Sequence, residues 1–307
     1  MLIVVALGGN AFLARNESLA ADAAQRNVRA AAAVLAELAR DHQLVIIHGN
    51  GPQIGLLALQ SEPFHDVRTY PLDVLGTESE GMIGYLLERE LGNVLDDHPV
   101  ATLITQTVVD ALDPAFKKPS QPIGPMYDAD RAEELAIERG WTVAPDGQQW
   151  RRVVASPVPR STVELPTIRL LLERGFVVVC AAGGGMPVVM DSFGARHGVE
   201  AVVDKDRASA LLAREISADM FLMLTDVPAV ETDWGTPESR PLRTVTTSEM
   251  SRHDFVEGSM GPKVEAAVSF VRSTGRRAGI GALRDAMAIV EGIAGTIVVP
   301  DEIPSRV

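Results

Sequence analysis

Two lysines and the acidic residues beside them are the part of this sequence best equipped for chemistry. Lys205 stands in the triplet Asp204-Lys205-Asp206, at the mouth of a predicted helix that continues Arg207-Ala-Ser-Ala-Leu-Leu. Lys263 ends the segment Gly258-Ser-Met-Gly-Pro262-Lys263, which predicts Pro262 at the first helical position and the lysine just inside it. A cation at a helix N-terminus is disfavoured by the macrodipole, by roughly 0.3–1 kcal/mol. An anion between the two lysines would offset that cost, so both are candidates to hold phosphate. Upstream, the apolar strand Phe176–Ala181 feeds the turn Gly183-Gly184-Gly185, whose N–H groups an anion could approach without steric hindrance. Downstream, Met220–Leu224 reads as a strand ending in Thr225-Asp226. These pieces describe a site for phosphates. Phosphoryl transfer asks for little more than positioning and positive charge on the moving oxygens. One of the two aspartates would orient the lysines, leaving the other to cap the helix or to meet a nucleotide's magnesium indirectly.

The elements that must position these groups are legible in chain order. Residues 2–7 form a continuous apolar run that stops at Gly8-Gly9-Asn10, and Leu44–His48 is a second such run that stops at Gly49-Asn50-Gly51-Pro52-Gln53. Two strands ending this way place two backbone nests at one sheet edge, where open α/β sheets bind ligands. Neither is a Walker loop, and Gly49, Gly51 and Gly55 miss the dinucleotide spacing by one residue. His48 reads as a packed or hydrogen-bonded strand end, since no nucleophile or carboxylate stands at telling spacing beside it. A helix is expected over Ala20–Arg40. After a loop around Pro63 to Pro71 a second is expected over Asp73–Leu95, with Met82, Ile83, Leu86 and Leu87 on its apolar side. Gly76, Gly81 and Gly84 weaken that helix and would let another backbone approach, such as that of a second subunit. Val100–Val109 reads as the third strand. Residues 113–165 are rich in proline and contain a predicted hairpin, Thr142–Val154, turning at Asp146-Gly147. This stretch is expected to form a protruding subdomain, or lid, carrying Lys117, Lys118, Arg151 and Arg152. A helix over Glu164–Arg174 and strands at Arg276–Ala282 and Thr296–Val299 complete the reading.

Composition narrows the function classes. The chain has 307 residues, enough for one large α/β domain, and its core is aliphatic: 46% of residues are hydrophobic but only 5% aromatic. With 28 Lys plus Arg against 41 Asp plus Glu, the net charge of -13 speaks against nucleic acid or an anionic membrane as partner. The single cysteine, Cys180, lies in an apolar run, so no disulfide framework or cysteine-based metal site is expected, and no metal-ligating residue set is assigned. The opening apolar run has no basic flank and is far shorter than the roughly 20 residues that span a bilayer. A cytoplasmic protein is expected.

Several segments carry a resemblance: Ala6-Leu-Gly-Gly-Asn-Ala11, His48-Gly-Asn-Gly-Pro-Gln-Ile-Gly55, Pro122-Ile-Gly-Pro125, Gly184-Gly-Met-Pro187, Ala201-Val-Val-Asp-Lys-Asp206, Leu224-Thr-Asp-Val227 and Gly258-Ser-Met-Gly-Pro-Lys263-Val-Glu-Ala-Ala267. In this order, over nearly the whole chain, they resemble the motifs of the carbamate kinases in the amino acid kinase superfamily. The resemblance implies an α/β fold, a three-layer αβα sandwich with a mainly parallel central sheet. It would be a single domain over 1–307, with the inserted subdomain at about 113–165 covering the site, and it would form a homodimer. It implies reversible phosphoryl transfer between ATP and carbamate, giving ADP and carbamoyl phosphate, with Mg2+; cells that run the reaction backwards make ATP. Carried over, Lys205 and Lys263 would neutralise charge and Asp206 would orient them. Gly8, Gly9, Asn10, Gly49, Asn50 and Gly51 would line the carbamate and the moving phosphoryl group. Gly183, Gly184, Gly185, Thr225 and Asp226 would serve the nucleotide. Two positions depart from the family pattern. Gln121 stands where members carry a lysine before Pro-Ile-Gly-Pro, leaving Lys118 as the candidate replacement, and Ala182 shortens a run of four glycines to three. Gln121 motivates two alternatives: a paralogue with another small carboxylate acceptor, or a nucleotide-binding homologue without catalysis.

Overall fold

The computed structural model describes residues 1–9, 21–60, 70–255 and 260–301; Asn10, the loop around Pro63 and the Gly258-Ser259 start of the second lysine's motif lie outside them. The first strand explains the architecture. Ile3, Val5 and Leu7 enter one hydrophobic core and Val4 and Ala6 enter another. A strand buried on both faces must be apolar throughout, and alternate side chains then serve two helical layers.

In chain order, β1 (Leu2–Leu7) is followed by α1 (Ala21–Asp41), β2 (Gln43–His48), α2 (Gly51–Gln60), α3 (Leu72–Gly92), β3 (Val100–Thr102) and β4 (Gln106–Val109). The proline-rich stretch holds β5 (Gln121–Tyr127), α4 (Ala129–Arg139), β6 (Thr142–Asp146), β7 (Gln149–Val154) and β8 (Pro159–Thr162). Next come α5 (Leu165–Glu173), β9 (Val177–Val179), β10 (Met186–Met190), β11 (Arg196–Gly198), α6 (Lys205–Glu215), β12 (Met220–Thr225), β13 (Glu231–Thr232) and β14 (Arg240–Pro241). The chain closes with β15 (Thr244–Thr246), α7 (Thr247–Met250), α8 (Met260–Thr274), β16 (Arg277–Ala282), α9 (Ala286–Val290) and β17 (Thr296–Val299).

Eight strands form the central sheet in the order β15-β17-β16-β12-β1-β2-β9-β3. Every joint is parallel except β16 with β17. Residues of α1, α3 and α9 fill the core on one face, and residues of α5, α6 and α8 fill it on the other. The three layers and mainly parallel sheet are those implied by the resemblance. Smaller sheets flank this body. One has the order β11-β10-β4-β8; another, β5-β7-β6, turns its β6–β7 hairpin at Asp146-Gly147, where Gly147 has a φ of 65°. No helix among the described residues is long and apolar enough to cross a membrane.

Four expectations need correction. Val100–Val109 is two strands in two sheets: Leu103 N–H still bonds to Val179 in the central sheet, but Thr105 N–H is taken by the Glu80 carboxylate and the chain turns away. Met82 is exposed, because the buried face of α3 runs through Leu75, Ile83, Leu87 and Leu91, and Met82 points about 100° away from Ile83. Pro262 lies inside α8, two residues after Met260; the first helical turn tolerates it, since N–H groups there have no intrahelical partner. Lastly, the glycines of α3 admit parts of the same chain. A β-carbon on Gly76 would lie 2.5 Å from Met186 Sδ, and one on Gly84 would lie 2.4 Å from Thr102 Cγ2, whereas one on Gly81 would meet nothing within 4 Å. Gly84→Ala should therefore cost about 1–3 kcal/mol through overpacking. Gly81→Ala should gain up to about 1 kcal/mol from helix propensity. Urea unfolding of the two variants checks the contrast, which equal effects would refute.

Candidate active site

Four neighbouring parallel strands deliver the predicted residues to one edge of the sheet. In the order β12-β1-β2-β9 they end in Thr225-Asp226, Gly8-Gly9, Gly49-Asn50-Gly51 and, after Cys180, the turn Ala181–Gly185. The register pairs Leu7 with both Leu224 and His48, so these loops start level. Gly8 N–H bonds to Leu224 O at 2.8 Å and Gly49 N–H to Leu7 O at 3.1 Å. The Gly49 and Gly9 backbones are close enough that a β-carbon on Gly49 would sit 3.0 Å from Gly9 N. Gly51 opens α2, a helix missed in the sequence, so an N-terminal dipole points out of this loop.

Beyond the strand ends, α6 and α8 bring the two lysines to a single carboxylate. Lys205 Nζ donates to Asp206 Oδ1 at 2.5 Å and Lys263 Nζ donates to Oδ2 at 2.8 Å. Asp206 is only 4% exposed. Burial by itself would raise its pKa, but the two ammonium groups outweigh burial and hold it down to about 2. Burial lowers the pKa of Lys205, and Asp206 partly restores it. The division of labour between the aspartates is thus resolved: Asp206 bridges the lysines, while Asp204 accepts from Arg207 N–H at 2.9 Å as the cap of α6. Each ammonium group spends one N–H on Asp206 and keeps further donors with which to meet an anion. Gly8, Gly9, Thr225, Asp226 and Lys263 line a cavity of about 690 Å³ that extends to Trp234 and Phe255.

His48 is fully buried, with Nδ1 3.3 Å from Gly49 O. Burial, opposed by that contact and aided by the charge of Lys205, lowers its pKa to about 4, so it is neutral at pH 7. Cys180 is likewise inert: burial pushes its thiol up, with help from Glu80 and Glu164.

The glycine turn differs from the open nest expected. Ala181 N–H is taken by Thr105 Oγ1 at 3.0 Å and Ala182 N–H by Glu80 Oε1 at 3.0 Å. Gly184 and Gly185 N–H bond within the turn to Ala181 O and Ala182 O, both at 3.0 Å. These donors are committed inside the chain. What the glycines supply is closeness: β-carbons on Gly183, Gly184 and Gly185 would lie 2.0 Å from Asn50 Oδ1, 2.6 Å from Val203 O and 2.4 Å from Thr107 Oγ1. Their φ values of 60°, 100° and 78° are left-handed as well. Asn50 Nδ2 donates to Ser79 Oγ at 2.8 Å. Ser79, Glu80, Thr105 and Thr107 were not picked out in the sequence. Glu80 was findable, since it sits three and seven residues before Ile83 and Leu87, on the buried face of α3.

The sequence pattern of the amino acid kinase family matches residues 1–281. The carbamate kinase of Rhizobium meliloti (strain 1021) is 51% identical over 301 residues, which cover 97% of this chain and 93% of that protein. The chain belongs to the amino acid kinase family, in its carbamate kinase branch. The carbamate kinase of Escherichia coli (strain K12) is 48% identical over 296 residues, 96% of this chain and 98% of that one. The solved structure of carbamate kinase from Giardia lamblia bound to AMP-PNP superposes with a TM-score of 0.91 at 36% identity, covering 98% of each chain.

In this amino acid kinase, Gln121 and Lys118 stand apart from the lysine pair. Gln121 is half-buried at the start of β5, Lys118 is exposed beside it in sequence, and neither hydrogen-bonds or ion-pairs with Lys205, Lys263 or Asp206. Arg151 and Arg152 are held within the chain: Arg151 donates to Gly124 O and Asp146, while Arg152 pairs with Glu200 and lies over Trp141. Ile123 and Val154 join this unit to Ile54 of α2 and Leu72 of α3.

Because the folded pKa of Asp206 lies below its ordinary value of 3.8, its pairing contributes stability that is full above that value and lost as pH falls through about 2. The shift corresponds to about 2–3 kcal/mol. Asp206→Asn should therefore lower stability at pH 7 and flatten the stability curve between pH 5 and pH 2 by that order, measured by urea unfolding. An unchanged acid limb would refute the assignment.

Proposed function

We propose that this chain catalyses reversible phosphoryl transfer between ATP and carbamate, giving ADP and carbamoyl phosphate. The observation that carries the reading is the pair of lysines bridged by buried Asp206 beside the Gly8-Gly9 loop and the cavity, in a chain about half identical to carbamate kinases. The AMP-PNP bound to the Giardia lamblia relative supports an adenine nucleotide as phosphoryl donor. On this reading the nucleotide occupies the cavity, with its phosphates running past Thr225 and Asp226 toward Gly8 and Gly9. Gly49, Asn50 and Gly51 face the carbamate, and Asn10, outside the described residues, is assigned to it by the family motif alone.

A carbamate oxygen attacks the γ-phosphorus, the bond from that phosphorus to the β–γ bridging oxygen breaks, and the electron pair leaves with ADP. Carbamate is already an anion, so no proton has to be removed; a neutral, buried His48 is consistent with that chemistry. Lys205 and Lys263 offset charge on the moving phosphoryl group and the bridging oxygen, and their preorganisation by Asp206 means that little reorientation is needed during transfer. The described residues include no group of three or more His, Cys, Asp or Glu placed to hold a metal. Magnesium would come bound to the nucleotide phosphates, as it commonly does.

A second reading, a paralogue that phosphorylates another small carboxylate, is motivated by Gln121. ATP formation from ADP and carbamoyl phosphate discriminates: turnover supports carbamate as acceptor, turnover only with other acyl phosphates supports the paralogue, and ADP binding without any turnover refutes both. In the same assay Lys205→Ala and Lys263→Ala should each lower kcat by about 10² to 10³ while changing ADP affinity far less. Equal losses in both would overturn their role. If Lys118 on the lid replaces the absent lysine, Lys118→Ala lowers kcat about tenfold or more; unchanged turnover ends that idea. The reading also includes a homodimer, for which the exposed Met82 and Tyr85 on α3 offer apolar surface. Sedimentation equilibrium should give twice the 32.8 kDa chain mass, and a monomer at micromolar concentration would refute it.

A further inference from the structure

Two consecutive residues of α3, Ser79 and Glu80, are 0% and 1% exposed, and the chemistry above does not use them. They reach two different loops of the site. Ser79 Oγ accepts from Asn50 Nδ2 at 2.8 Å and donates to Gly76 O at 2.7 Å, which fixes the hydroxyl on the helix. Glu80 Oε1 accepts from Ala182 N–H at 3.0 Å and Oε2 from Thr105 N–H at 3.2 Å. Thr107 Oγ1 donates to Gly184 O at 2.7 Å and closes the far side of the turn. That turn stands directly between Asn50, against Gly183, and Val203, against Gly184. Val203 immediately precedes the Asp204 cap and Lys205.

We propose that Ser79 and Glu80 are positioning residues for phosphoryl transfer: from one rigid helix they fix the distance between the acceptor loop at Asn50 and the N-terminus of α6 that carries Lys205 and Asp206. The proposal rests on the phosphoryl-transfer reading above. A buried carboxyl costs several kcal/mol unless it is hydrogen-bonded, so an apolar residue would serve packing alone more cheaply. The turn it holds also contains Ala181 at a φ of 50°, a left-handed backbone state that its surroundings must enforce. Burial pushes the Glu80 pKa up to about 8, against the two backbone N–H groups that its oxygens accept from; glutamine, with one acceptor oxygen, can keep only one of those two bonds. The turn follows β9, three strands from the Thr225 end of β12, a separation of about 14 Å at ordinary strand spacing. A shift of the turn therefore acts first on acceptor and lysine, away from the Thr225 end of the nucleotide cavity, and misplacement of about 1 Å can cost roughly 10²-fold in rate.

The test measures kcat for ATP formation from ADP and carbamoyl phosphate, and ADP Kd by calorimetry, on the full chain. Glu80→Ala should lower kcat about 30-fold or more and Ser79→Ala about tenfold, both with ADP Kd within about threefold of wild type; Glu80→Gln, which keeps one of the two bonds, should lose less kcat than Glu80→Ala. Alanine variants with kcat within about threefold of wild type, or a parallel loss of ADP affinity, would overturn the proposal. If Glu80→Ala does not fold, Ser79→Ala decides, since it leaves Glu80 and its two bonds in place. A wild-type chain that makes no ATP sinks the activity reading instead. The clamp is then judged by a crystal structure of Ser79→Ala, in which a displaced Asn50 supports it and an unmoved Asn50 overturns it.

Discussion

Two ammonium groups held a few ångströms apart repel each other, and that repulsion rises as water is excluded. The site depends on the solution found here, one buried carboxylate that accepts from both, Lys205 at 2.5 Å and Lys263 at 2.8 Å. Removing water from an ion pair is expensive, and the arrangement holds only because each Asp206 oxygen has its own donor. It also imposes a packing requirement. Asp206 and Lys205 belong to the first turn of α6 and Lys263 to the first turn of α8, so the two helices must lie side by side on the same face of the sheet. The core formed by Ala210, Ala213, Ala266, Ala267 and Phe270 keeps them there. Small alanine side chains let the helix axes approach, and the aliphatic composition of the chain thereby bears on the electrostatics of its site.

The glycines around this centre do a different job from the one their clustering suggests. A glycine-rich loop invites the idea of free N–H groups cradling phosphate, and Gly9 on the cavity wall fits it, whereas Gly8 N–H is spent on Leu224 O. In the turn at residues 181–185 the donors of Ala181, Ala182, Gly184 and Gly185 are spent within the protein. Here the absent β-carbons let Asn50, Val203 and Thr107 close in on one short segment. The turn is a junction where three parts of the site are registered against each other, and α3 is the element that holds it. Ala182, which interrupts the glycine run, is tolerated for the same reason: its buried N–H serves Glu80, and its own side chain is accommodated in the core.

Much of this was legible in the residues because strong local signals coincide with function. Apolar runs that stop at glycine located the ends of β1 and β2, since a strand buried on both faces is largely apolar and a sharp exit needs conformational freedom. The Asp204 cap and the lysine beside it located α6. Other features were illegible. Val100–Val109 has the composition of one strand, and nothing local announces that Thr105 will surrender its N–H to Glu80 and start a second sheet. The α2 helix, rich in glycine and leucine, has weak propensity and is held by its contacts with α3 and the three-stranded sheet. Met82 looked buried because hydrophobicity reports residue type, whereas exposure depends on which face of α3 the body covers.

By itself the sequence determined the strand ends, the cap of α6, the excess of acid over base and the ordered set of motifs that implied the family, because each depends on residues near one another in the chain. Only the tertiary structure decided that each Asp206 oxygen takes one lysine, that His48 is neutral, that the N–H groups of Ala181, Ala182, Gly184 and Gly185 are spent within the chain, and that Ser79 and Glu80 reach the site at all. These features depend on contacts across 29 to 102 residues of chain: Ser79 to Asn50, Glu80 to Ala182, Lys263 to Asp206. Burial and partner distance set pKa and hydrogen bonding, and neither exists until the sheet has brought its four strand ends to one edge.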